Sequence, residues 1–139
     1  MDNKKEKLED FKVAISSTVR SLSNSQKTEV NFGDQISVDK NSIKLPNIEY
    51  FKDKINYEEV RAIADSKSLK IRFSNKEILK KFEPKGVISK KLYEISEKIR
   101  CEKIGTDYFK GVKKNIEKHY YHRLSGLDLK NNEDKVVES

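Results

Sequence analysis

The stretch GVISKKLYEISEKIRCEKIG, residues 86–105, decides the fold class. Ile88, Leu92, Ile95 and Ile99 are spaced 4-3-4, which lines them up along one side of a helix. Such a seam is suited to packing against another helix. Gly105 interrupts the row, and Tyr108, Val112, Ile116 and Tyr120 then continue an apolar face as far as HYYHR, residues 119–123. A break near Gly105 is expected, giving two helices rather than one.

Upstream the same periodicity recurs. In LEDFKVAISSTVRSL, Leu8, Phe11, Ile15, Val19 and Leu22 recur at steps of three and four, the mark of an amphipathic helix. Ser23, Asn24 and Ser25 end it, because short polar side chains compete for the backbone. Val30 and Phe32 in TEVNFGDQ, and Ile43 and Leu45 in SIKLP, alternate instead, as strands do. Gly33, Asp34, Asp39 and Asn41 make the segment between them a polar loop. A two-stranded hairpin closed by Pro46 is expected. Asn56 with Glu59 has the spacing of a helix-capping pair, ahead of a stripe formed by Val60, Ile63, Ala64 and Ile71. Ser74 with Glu77 matches the capping box fully and is expected to start a short helix carrying Ile78, Leu79 and Phe82, which Pro84 and Gly86 stop. The fold expected is mainly α: several helices, with a small two-stranded β-hairpin between the first and the second. Residues 1–129 form the helical domain, and the polar string 130–139 is expected to be a disordered tail or the start of an acidic linker.

Composition narrows the function. Of 139 residues, 35% are apolar and 38% charged, which supports a modest core under a heavily solvated shell. The net charge of +7 is uneven: residues 67–118 hold sixteen basic and seven acidic side chains, +9. A basic centre invites a nucleic-acid reading. Lys far outnumbers Arg, however, and Arg is the better reader of bases and phosphates. A solvated helical surface is therefore preferred, with a basic nucleic-acid- or ribosome-associated protein as the alternative. Cys101 is the single cysteine, so neither an internal disulfide nor a Cys-based zinc site can form. The N-terminus has no apolar signal stretch and no run long enough to cross a bilayer. A soluble, cytoplasmic protein is expected.

Chemical motifs are sparse. The five glycines are scattered and form no phosphate loop. There is no Gly-x-Ser-x-Gly elbow and no His-Glu-x-x-His helix. DSKS, Asp65–Ser68, has the wrong spacing for the Asp-x-Ser-x-Ser metal loop and falls within a helix. His119 and His122 lie three apart and could share a helix face, but two histidines without a third ligand seldom hold a metal. No catalytic, cofactor-binding or metal-ligating residue is assigned.

The order of the short motifs says more. FKVAISSTVRSL, EVNFGD, IKLP, VRAIADSKSLKIRF, FEPKG, RCEKIG, GVKKN and YHR follow one another from Phe11 to Arg123. In that order they resemble the N-terminal domain of the cobaltochelatase subunit CobT. The matching positions include Phe11, Lys12, Thr18, Arg20, Phe32, Gly33, Leu45, Pro46, Arg61, Ala64, Asp65, Pro84 and Gly86. They continue with Arg100, Glu102, Ile104, Gly105, Gly111, Val112, Asn115, Tyr121, His122 and Arg123. His119 is unmatched, and the last helix is about a turn shorter between Asn115 and Tyr121 than the family pattern.

The resemblance implies an adaptor or assembly role in ATP-dependent cobaltochelatase, which inserts Co²⁺ into hydrogenobyrinic acid a,c-diamide in aerobic cobalamin biosynthesis. It implies an AAA+ CobS-type ATPase and a large CobN-type subunit as partners, and a homo-oligomeric ring for the full-length protein. ATP, Mg²⁺ and Co²⁺ would belong to those partners or to the family's C-terminal von Willebrand A domain. That domain and the acidic segment before it are not in this sequence, so a piece of a longer protein or a shortened family member is expected. Arg20, Arg61, Asp65, Arg100 and Glu102 are family charges that would either clamp helices together or face a partner. Gly105 and Gly111 would permit close packing or a turn. Asn115 and Arg123 complete the candidate set, and Tyr121–Arg123 would mark the family's helix end, where cationic side chains meet the negative end of the dipole.

Overall fold

The computed structural model describes residues 2–39, 41–47 and 57–138. In chain order these form α1 (Asp2–Leu22), β1 (Glu29–Gly33), β2 (Ser37–Asp39), β3 (Ser42–Pro46), α2 (Tyr57–Phe73), α3 (Lys76–Lys81), α4 (Val87–Tyr108) and α5 (Lys110–Glu138). The fold is mainly α, with a small sheet between the first and second helices.

Local chemistry explains most boundaries. α1 ends where Asn24 takes a left-handed φ of 56°, a conformation Asn tolerates better than most residues. The Ser25 amide then reaches back to the Arg20 carbonyl, and the Asn24 amide to that of Ser21, closing a Schellman motif. α3 is capped by Asn75, not by the expected Ser74: the Asn75 side chain accepts from the amides of Glu77 and Ile78. The Ser74 hydroxyl is engaged elsewhere, donating to Glu97 at 2.9 Å. The expected cap at Asn56 lies outside the described residues.

The sheet differs from the expected hairpin. It has three strands in the order β1-β3-β2, with β1 parallel to β3 and β2 antiparallel to it. The strands expected to form the hairpin do pair, Val30 with Ile43 and Phe32 with Leu45, but they run in the same direction. The antiparallel partner is Ser37–Asp39, inside the segment read as a polar loop. Three residues with a single apolar side chain, Val38, are too short to show alternation. Ile43 and Leu45 are fully buried and, with Ile15, Val19, Val60 and Ala64, form one hydrophobic cluster between α1, β3 and α2. A second cluster, Leu22, Leu69, Cys101, Val112 and Ile116, joins the ends of α1 and α2 to α4 and α5.

α2 is the hub of both clusters. α4 runs straight through Gly105 and ends at Phe109, whose backbone is extended (φ −120°, ψ 103°). The expected break is therefore four residues late. Gly105 is there for proximity: a Cβ at this position would collide with the Leu69 side chain of α2. Gly111 has open space around the corresponding position, so close packing does not explain it. α5 continues through HYYHR and through residues 130–138, the segment set apart from the sequence as a polar tail. No proline occurs after Pro84, so nothing forces the helix to stop. HYYHR is thus mid-helix, and the dipole argument for Arg123 does not apply.

Candidate functional site

Because α2 is enclosed by α1, β3, α4 and α5, its polar residues Asp65, Ser66 and Ser68 are buried along with its apolar ones. Buried polar groups need partners, and each of these has one. Ser68 Oγ donates to the Ala64 carbonyl at 2.7 Å. Ser66 Oγ donates to Glu102 Oε1 of α4 at 2.6 Å, and Tyr120 OH of α5 donates to Glu102 Oε2 at 2.7 Å. Asn115 Nδ2 of α5 donates to Asp65 Oδ2 at 3.0 Å. One carboxylate from α4 and one from α2 thus tie three helices together at their common junction. Lys98 stands 3.9 Å from Glu102 and 5.7 Å above the Tyr120 ring.

Burial sets the protonation of this junction. It pushes the Asp65 carboxyl up to about 6, against the opposing pull of the Asn115 hydrogen bond and of the Arg61 charge. It raises the Tyr120 hydroxyl, assisted by the bond to Glu102. It lowers Lys67 and His119, since a charged form is costly away from water. Cys101 is buried nearby and pushed up to about 11, so it stays a thiol at neutral pH and fills core space.

Over this junction runs a groove of about 980 Å³ between α2 and α5. Ser66, Glu102, Asn115 and Tyr120 line its floor, while Arg61, Lys67, Lys98, Lys114, Lys118 and Arg123 make its walls mainly cationic. Glu58 and Glu59 are on the same walls. Lys118 holds Glu58 at 2.8 Å and keeps that carboxyl below its ordinary range. His119 and His122 both line the groove, yet among the described residues no group of three His, Cys, Asp or Glu gathers to hold a metal ion.

The residues singled out in the sequence therefore part company. Arg61, Glu102, Asn115 and Arg123 meet at the groove, with Asp65 beneath it. Gly105 lets α4 approach α2 under the same junction. Arg61 and Asp65 are one turn apart, but the hydrogen-bond donor to Asp65 is Asn115 of α5 rather than Arg61. Arg20 and Arg100 lie elsewhere and serve the backbone. Arg20 Nε donates to the Thr28 carbonyl at 3.3 Å, and Arg100 donates to the Phe73 carbonyl at 2.8 Å while pairing with Glu97 at 2.6 Å. Gly111 belongs to neither group.

The chain matches the family model described as cobalamin biosynthesis protein CobT over residues 5–135. It belongs to the CobT family. No curated protein and no solved structure matches it significantly. CobT membership ties the chain to cobalamin biosynthesis and to the cobaltochelatase complex of that process. Among the described residues, no helix is long and apolar enough to cross a membrane. Sequence reasoning missed Ser66, Tyr120 and Leu69 as parts of the CobT junction. Two serines inside the apolar stretch VRAIADSKSL were the available signal, since a serine there needs a partner once the helix is enclosed.

Proposed function

We propose that this chain is a non-catalytic adaptor domain of ATP-dependent cobaltochelatase, the enzyme that inserts Co²⁺ into hydrogenobyrinic acid a,c-diamide. The observation that carries this reading is the CobT family match over residues 5–135. Its support in the geometry is the convergence of Arg61, Glu102, Asn115 and Arg123 on one groove with a hydrogen-bonded floor. A rigid floor under charged walls suits the capture of a partner surface, because the contact geometry is already fixed before binding. The partners are an AAA+ CobS-type ATPase and a large CobN-type subunit, in a cytoplasmic assembly whose full-length form closes as a homo-oligomeric ring. ATP with Mg²⁺ is handled by the ATPase partner, and Co²⁺ is the cargo of the large subunit.

Co-purification tests it. The chain, carried in its full-length protein, is expected to be retained by the AAA+ subunit in the presence of ATP. Arg61→Glu together with Arg123→Glu is expected to weaken that retention while leaving the thermal midpoint within a few degrees. Failure of the unsubstituted protein to associate with the ATPase under any nucleotide condition overturns the adaptor reading.

A further inference from the structure

The N-terminal half of α4 carries an apolar row that none of the described residues covers. Ile88, Leu92, Ile95 and Ile99 are 76%, 60%, 52% and 55% exposed. Isolated apolar residues on a surface are ordinary, but a contiguous row points to a contact. This half of the helix is also braced from behind by polar contacts. Tyr93 OH donates to the Leu79 carbonyl at 2.9 Å, Lys90 pairs with Glu83 at 3.2 Å, and Ser74 and Arg100 both bond Glu97. The row is therefore presented in a fixed orientation without being buried.

We propose that this row docks an amphipathic helix of another protein whose own apolar seam is flanked by acidic side chains. The 4-3-4 spacing assigns Leu92 and Ile99 to a positions and Ile88 and Ile95 to d positions of a heptad, the narrow seam that one partner helix fills. The e and g positions choose the partner. Lys91 and Lys98 are at g, and Ser89, Ser96 and Lys103 are at e. A second copy of α4 would bring Lys against Lys in the antiparallel arrangement and Lys against Ser or Lys in the parallel one. Neither arrangement supplies an attractive charge pair. A helix with Glu or Asp at its own e and g positions supplies one at each Lys. A bilayer surface would call for a wider apolar face than two columns, with serines not lining one edge. This docking face rests on α4 alone and is independent of the cobaltochelatase reading.

The test uses two designed heptad peptides, identical in their Leu seam, one with Glu and one with Lys at every e and g position. Fluorescence anisotropy with the whole chain is expected to show the Glu-flanked peptide binding at least tenfold more tightly. Leu92→Glu with Ile95→Glu, both on the surface, is expected to abolish binding while circular dichroism and the melting midpoint stay unchanged. Lys91→Glu with Lys103→Glu is expected to reverse the preference between the two peptides. No binding of the Glu-flanked peptide, or equal binding of both, overturns the proposal. It is also overturned by concentration-dependent dimerisation that the Leu92→Glu, Ile95→Glu variant loses, which makes a second copy the occupant. Co-sedimentation with phosphatidylserine-rich vesicles that the same variant loses overturns it in favour of a membrane surface. A failed peptide titration leaves retention by the ATPase untouched, so the two readings fail separately.

Discussion

The two halves of α4 are built from similar residues and do opposite things. Between Val87 and Ile99 the apolar side chains face outward and the helix is held by Tyr93, Lys90, Glu97 and Arg100. Between Cys101 and Gly105 a thiol, a carboxylate and a glycine are buried instead. What differs is the neighbourhood. Among the described residues, the first half makes its polar contacts with α3, with Glu83 just after it and with the end of α2, which offer carbonyls and polar side chains. The second half lies where α2 and α5 cross, and there even Glu102 is enclosed. Burial along this helix follows position in the bundle, and hydrophobicity along the sequence does not predict it.

The sharpest way to break that contrast is Glu102→Ala. The Ser66 and Tyr120 hydroxyls lose their acceptor, and a buried hydroxyl without a partner costs ~1–3 kcal/mol. A loss of about 3–4 kcal/mol in chemical denaturation is expected, and an unchanged midpoint would show that water replaces the carboxylate.

A pH titration of stability probes Asp65 on the same junction. Its carboxyl is raised from 3.8 to about 6 in the folded chain, so between those values the folded state binds the extra proton. Stability from this group is therefore full below about pH 3.8, falls as pH rises toward 6, and stays reduced above. The gap corresponds to roughly 3 kcal/mol. Asp65→Asn keeps an acceptor for Asn115 and cannot ionise. It is expected to be more stable than the parent at pH 8 and to lose the slope between pH 4 and 6.

Gly105→Ala comes next. The added methyl meets Leu69, and overpacking of this kind costs ~1–3 kcal/mol, partly offset by the ~1 kcal/mol that Ala gains in helix propensity. A net loss of about 1 kcal/mol is expected in the parent chain, and little or no further loss when the change is added to Leu69→Ala, which alone costs ~2–5 kcal/mol for the cavity it opens in the core. Independent, additive effects would separate the two residues. The smallest change belongs to the other half of the helix. Leu92→Ala and Ile95→Ala are each expected to shift stability by less than ~0.5 kcal/mol, because they bury little in the folded chain. A loss above ~1.5 kcal/mol at either would mean that the seam is internal.

Much of the fold was legible from residues alone. The periods of α1 and α4, the stop at Ser23–Ser25 and the strand character of Val30, Phe32, Ile43 and Leu45 are local properties. So is the glycine at 105, read both as a break and as a place for close packing or a turn; only Leu69 on a neighbouring helix decides for close packing. The hairpin went astray for a similar reason. Alternation does not fix strand direction, and a short connection between two runs favours the antiparallel hairpin; the three-residue β2 that lies between them and pairs antiparallel to β3 has no pattern of its own. Of the candidate site, the charges at 61, 65 and 102 and the amide at 115 were found by their order in the chain. Their meeting at one groove was not visible, since Asp65 and Asn115 are fifty residues apart.

The sequence by itself determined where the helices lie as far as Arg123, that a small sheet follows the first helix, and to which family the chain belongs. Those follow from short-range spacing and from the order of motifs. The tertiary structure decided which faces are covered. It put Glu102 inside and Ile88, Leu92, Ile95 and Ile99 outside. It also carried the last helix straight through HYYHR, so that the two histidines line the groove between α2 and α5. An amphipathic pattern specifies that a helix has an apolar side. Only the arrangement of its neighbours specifies whether this chain, or some other, supplies the surface that side will meet.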